Sequence, residues 1–149
     1  MFKKILVALD GSSVSEETLY IAIQEAKLRN AELNAVHVIQ HVFIHPVMVE
    51  SSSGASGGNS ELLEILEAEA QRVVMHAKEI CEDAEIEVTI HTRSGDPGDE
   101  ILSLSDEIDA DLIIIGTKGK TNLERLLLGS VSSAVVMNSK ITTLLVKGK

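Results

Sequence analysis

Gly116, Gly119, Gly129 and Ser130 stand in a spacing suited to holding an anion against bare backbone: GxxG, then nine residues, then Gly-Ser. The pattern follows directly on the apolar run Leu112-Ile113-Ile114-Ile115. Glycine leaves no side chain between an oxyanion and the peptide N–H groups, so both glycine clusters admit a phosphate at close range. The second cluster opens a helix expected over Val131 to Asn138. A helix start carries N–H groups without an intrahelical acceptor and about half a positive charge, and the Ser130 hydroxyl adds a further hydrogen bond. In outline this is a site for nucleotide phosphates.

Commoner phosphate and metal motifs do not fit. Gly119-Lys120-Thr121 is the end of GxxxxGKT, but the upstream glycine that motif requires falls on Ile114 inside the strand run. No GxGxxG follows any expected strand, which excludes the dinucleotide fingerprint. Ser56-Gly57-Gly58 lacks the aspartate of a pyrophosphatase loop SGGxDS and does not follow strand one, and HxGH, the mark of adenylyl transfer, is absent. His37, His41 and His45 recur every four residues but divide between a strand and a loop, so they share no helical face on which to hold a metal. Lys118 and Lys120 read as solvated loop charges that assist phosphate binding electrostatically.

Charge and composition narrow the partners. The chain has 149 residues, enough for one domain with a proper core, and a net charge of -10. Phe2, Tyr20 and Phe43 are its aromatics. Such a chain has little to stack bases on and repels a phosphate backbone, which speaks against nucleic acid. Any nucleotide site must therefore make its own field, and the segment 116–132 does so with Lys118, Lys120 and Arg125 against Glu124 alone. Cys81, the single cysteine, excludes an intramolecular disulfide and fits a reducing compartment. It falls on the apolar side of an expected helix, as an inert packing residue. No apolar run approaches the ~20 residues that span a bilayer, and Met1-Phe2-Lys3-Lys4 enters a strand without a signal-like stretch. The expectation is a cytoplasmic protein with no membrane partner.

The elements that position the glycines follow from hydrophobic periodicity. Ile5 to Leu9 reads as a strand buried on both faces, ended by Asp10-Gly11-Ser12. Ser13 and Glu16 form a capping box before a helix with Leu19, Ala22, Ile23 and Ala26 on one side, stopping near Asn30. Strand two is Leu33 to Ile39. A flexible insert is expected at about 41–60, from the run Ser51-Ser52-Ser53-Gly54-Ala55-Ser56-Gly57-Gly58. A long helix follows over Glu61 to Glu82, then a strand over Ile86 to Thr92 whose alternation marks a wetter face. Asp96-Pro97 starts a third helix with the face Ile101, Leu104 and Ile108. Leu112 to Ile115 and Leu144 to Val146 complete the strands. Alternation of this kind predicts an α/β fold, a right-handed, doubly wound parallel sheet with five strands and four helices. Ligands on such sheets bind beyond the carboxyl ends where strand order reverses, and in the order 3-2-1-4-5, in which strands one and four are neighbours, Asp10 and Gly116 flank one crevice.

With these residues in place, the chain resembles the universal stress proteins, specifically their ATP-binding branch. The hallmark GxxGx9G(S/T) is present as Gly116, Gly119, Gly129 and Ser130. The start Lys3-Lys4-Ile5-Leu6-Val7-Ala8-Leu9-Asp10-Gly11-Ser12, the pair His37-Val38 and the run Ala110 to Gly116 are also typical, so the resemblance spans one domain, residues 1–149. It implies a Rossmann-like fold of the adenine nucleotide alpha hydrolase type. It also implies that Asp10 approaches ribose and phosphates, that Ala8 and Val38 wall the adenine and that Ile115 lies under the base. Gly116, Gly119, Gly129, Ser130, Val131 and Ser132 would cradle ribose and phosphates through backbone N–H groups and hydroxyls. Mg2+ or Mn2+ would bridge the phosphates. The proline often found at the start of strand five is replaced by Lys140-Ile141-Thr142-Thr143.

These readings favour an ATP-binding regulatory module, whose occupancy changes a surface read by a protein partner. No residue pair supplies a base for phosphoryl transfer, which leaves a slow Mg-dependent ATPase switch as the alternative. An ATP-independent dimerisation protein of the same fold is disfavoured because that branch lacks the complete glycine motif. A homodimer through strand five, Thr142 to Val146, is expected because that edge has high β-propensity without proline or internal charge.

Overall fold

The computed structural model describes residues 1–40, 55–117 and 128–148, with residues 55–60 described by backbone alone. Residues 41–54 of the expected insert, including His41 and His45, lie outside the described residues, as do Gly119, Lys118, Lys120, Glu124 and Arg125.

Five strands, β1 (Lys4–Leu9), β2 (Glu32–Ile39), β3 (Val88–Ser94), β4 (Leu112–Gly116) and β5 (Thr142–Val146), form one parallel sheet in the order β3-β2-β1-β4-β5. Four helices, α1 (Ser13–Arg29), α2 (Ala55–Asp83), α3 (Pro97–Glu107) and α4 (Ser130–Asn138), connect them. The strand order reverses between β1 and β4, as expected. Side chains alternate across the sheet. Ile5, Val7, Leu33, Ala35 and Ile114 pack with Leu19 and Ala22 of α1 and Ala77 and Ile80 of α2. Leu6, Val36, Ile113 and Ile115 pack on the other face with Ile101 and Leu104 of α3 and Val135 of α4. Strands sandwiched in this way must be apolar at nearly every position, which is why β1 and β4 read as continuous aliphatic runs.

Several boundaries differ from the sequence reading. The N-cap of α1 is Ser12, not Ser13: the Ser12 hydroxyl accepts a hydrogen bond from the Ser15 N–H at 3.1 Å. Gly11, at φ 85°, makes the turn that leaves Ser12 extended and Ser13 already helical. α2 begins at Ala55, so the last six residues of the expected insert are helical. β3 starts two residues late because Ile86 donates its N–H to the Cys81 carbonyl at 3.0 Å, closing α2 behind the left-handed Glu85. An N–H spent on a helix end is not available to a strand ladder. The other caps agree with expectation, with Asn30 left-handed after α1 and Asp96 accepting from the Asp99 N–H ahead of α3. The Asp111 carboxylate clamps the open end of β1, accepting from the backbone N–H of Lys3 at 2.8 Å and of Lys4 at 3.0 Å. Among the described residues no helix is long and apolar enough to cross a membrane.

Candidate functional site

A cleft of about 520 Å³ lies beyond the carboxyl ends of β1, β2 and β4. Ala8 and Asp10 enter it from β1, Val38 from β2, and Ile115 and Gly116 from β4. Gly129, Ser130, Val131 and Ser132 enter it from the start of α4. These are the residues the sequence singles out, apart from Gly119, which lies outside the described residues.

Backbone turns fix the two sides of the opening. At the β1–α1 corner the Asp10 N–H donates to the Ser15 hydroxyl at 3.0 Å, and Asp10 Oδ1 accepts from the Ser12 N–H at 2.9 Å. One carboxylate oxygen of Asp10 is thereby committed to the corner, which holds the side chain at the cleft wall. Across the cleft, the Gly129 N–H donates to Thr117 O at 2.9 Å, and the Ser132 hydroxyl donates to the Gly116 carbonyl. The proton of Ser132 Oγ is therefore spent on joining α4 to β4. What Ser132 offers a ligand as a donor is its backbone N–H.

The helix starts differ in what they offer an anion. Ser12 caps α1 with its hydroxyl, and Asp96 caps α3, whose first turn also carries Asp99 and Glu100. α4 begins at Gly129 with no side-chain cap and no acid in its first turn. The N–H groups of Ser130, Val131 and Ser132 thus face the cleft with the positive end of the helix and no carboxylate of their own element. An anion that accepts from them gains the interaction that side chains already supply in α1 and α3.

The same fold recurs in known proteins. The family model described as the universal stress protein family matches residues 1–147. The chain belongs to the universal stress protein family. Universal stress protein MJ0531 of Methanocaldococcus jannaschii is 35% identical over 147 residues, covering 99% of this chain and 83% of that protein. The solved structure of MJ0577 from the same organism is 32% identical, superposes with a TM-score of 0.80, and is covered to 98% by the whole of this chain. A universal stress protein solved in complex with cAMP is 26% identical with a TM-score of 0.68, over 98% of this chain and 97% of that one.

This universal stress protein also lines its cleft with residues the sequence reading did not assign to a site. Pro97 and Ile101 come from α3, where cap and core roles hid them. Leu66 and Glu69 come from α2. A helix of 29 residues rises about 43 Å, against about 26 Å for the eight residues of β2, so α2 passes the carboxyl edge of the sheet and walls the cleft. Ser15, His37 and Gln40 complete the polar wall. Among the described residues no three His, Cys, Asp or Glu side chains lie close enough together to hold a metal. Cys81 is buried outside the cleft, and burial pushes its thiol pKa up.

Proposed function

We propose that the chain is an adenine-nucleotide-binding regulatory module, with the phosphates on the start of α4 and the base between Val38, Ala8 and Ile115. The observation that carries the reading is the uncapped, acid-free start of α4 at Gly129, opening into a cleft with an otherwise aliphatic floor. The cAMP complex of a relative supports the choice of an adenine nucleotide. ATP is the ligand favoured by the complete glycine motif. Asp10 keeps Oδ2 outside the corner hydrogen bonds, so the site fits a Mg2+ or Mn2+ ion shared between phosphate oxygens and one carboxylate. That ion would neutralise the charge that Asp10 otherwise places against the phosphates. The described cleft carries no base paired with a nucleophile, which favours occupancy over turnover as the signal.

A ligand bound by the folded state alone raises its melting temperature, so ATP with Mg2+ at a hundred times Kd stabilises by about 2.7 kcal/mol. Gly129→Val removes this shift by filling the phosphate position with a side chain. Absence of any shift with wild-type protein freed of nucleotide would overturn the reading.

We further propose a homodimer through β5. The two sheet edges differ: β3 carries Arg93, paired with Glu107 of α3, whereas β5 has no charge and leaves Leu145 37% exposed. Charged edges resist strand addition and apolar ones invite it. Val146 is buried against the core, so the interface would use Leu145 and not Val146. Leu145→Lys then yields monomers in light scattering, and a monomeric wild type would refute the pairing.

A further inference from the structure

His37 stands out in the wall of the cleft because its ring has one nitrogen with a fixed duty and one without. In the sheet register His37 lies opposite Leu9 and follows Leu33 and Ala35, on the face covered by α1 and α2. The residue is only 8% exposed. Its Nδ1 lies 2.9 Å from the Leu9 carbonyl oxygen. A carbonyl accepts and never donates, so Nδ1 carries the proton, and the neutral ring keeps a lone pair on Nε2.

Among the described residues the Nε2 atom has no partner, yet no enclosed side-chain nitrogen or oxygen among them lacks one. Nε2 is therefore not enclosed, and the space that His37 borders is the cleft. The polar groups around the cleft are thus divided. The α4 side presents N–H donors, while the wall formed by β2 presents an acceptor, the lone pair of His37 Nε2. A ligand matching this arrangement has an anionic end and a hydrogen-bond donor elsewhere.

We propose that His37 is a specificity-determining residue, whose Nε2 accepts a hydrogen bond from the bound nucleotide. This rests on the nucleotide reading of the cleft. The donor is an N–H or O–H group, which a nucleotide carries as the exocyclic amino group of its base or as a ribose hydroxyl. An acceptor covered by the ligand discriminates by what it loses: a ligand without the donor takes the lone pair out of water and leaves it unpaired.

The test compares ATP, ITP, 2′-deoxy-ATP and 3′-deoxy-ATP by titration calorimetry on the wild type and on His37→Asn. The asparagine amide can stand in for Nδ1 at Leu9 while placing nothing at the Nε2 position. Wild-type protein binds one analogue roughly tenfold more weakly than ATP. ITP identifies the base amino group and a deoxynucleotide identifies a hydroxyl. In His37→Asn that ratio falls to about one. Unchanged ratios with intact ATP binding overturn the role of His37 alone, and so does an equal loss for all four nucleotides. Failure of the wild type to bind any of them overturns the cleft reading as well. If His37→Asn does not fold, the imidazole nitrogen resonances of wild-type His37 decide. Nε2 shifts on adding ATP while Nδ1 stays, and an unmoved Nε2 overturns the proposal.

Discussion

Gly98 sets how closely α3 approaches α4, and with it the placement of the α4 start over the cleft. It is buried in the first turn of α3, where a Cβ would lie 3.0 Å from the Cβ of Ala134 on α4. Carbon atoms in good contact sit about 3.5–4.0 Å apart, so Gly98→Ala requires Ala134 to give way by a few tenths of an ångström. Overpacking of this kind costs about 1–3 kcal/mol, set against a gain of at most about 1 kcal/mol in helix propensity. Ala134→Gly makes room but loses about 1 kcal/mol of propensity inside α4. Combining the two relieves the clash, so the effects are not additive. The coupling energy isolates the contact and should be about 1–3 kcal/mol. Urea unfolding of the four proteins measures it, with nucleotide affinity followed in parallel because a displaced α4 shifts the Ser130–Ser132 amides. A coupling below about 0.5 kcal/mol would show that the helices yield freely and that Gly98 sets nothing.

Two other substitutions probe the frame. Asp111→Ala removes a charged acceptor from two backbone N–H groups at the start of β1 and should cost about 1.5–3 kcal/mol in urea unfolding, with Asp111→Asn recovering part. Burial and the adjacent Arg93 guanidinium hold His91 below its ordinary pKa, with Glu107 opposing them. The unfolded chain therefore takes up this proton first as pH falls. Stability from neutral His91 is present above about pH 6.5 and is lost as pH drops toward the folded value. The melting temperature should fall between pH 7 and 5, and His91→Gln, which can still donate to Asn34 Oδ1, should flatten the slope. An identical slope in the variant would remove His91 from the explanation.

How much of this was legible in the sequence depended on whether the signal was local. β1 and β4 were readable because burial on both faces demands unbroken aliphatic runs, and the start of α4 because its glycine spacing has a backbone meaning. Asp96-Pro97 announced α3 by the chemistry of a cap. The start of β3 was not readable, since Ile86 alternates correctly with Val88 and Ile90 but its N–H closes α2. Ser12 and Ser13 are equally good caps by type, and only the turn at Gly11 chooses between them. The role of α2 in the cleft depends on helix length relative to the sheet, which periodicity does not encode. That Nδ1 of His37 is engaged, leaving Nε2 without a partner among the described residues, emerges only from its register with Leu9, 28 residues away.

The binding of phosphates by the start of α4 is tested most directly by the backbone amide resonances of Ser130, Val131 and Ser132 in labelled protein titrated with ATP and Mg2+. Saturable shifts at these three amides, larger than those at the capped starts of α1 and α3 and absent in Gly129→Val, are the expected result. Nucleotide binding that leaves the three amides unmoved, or that moves the α1 or α3 start instead, would contradict it.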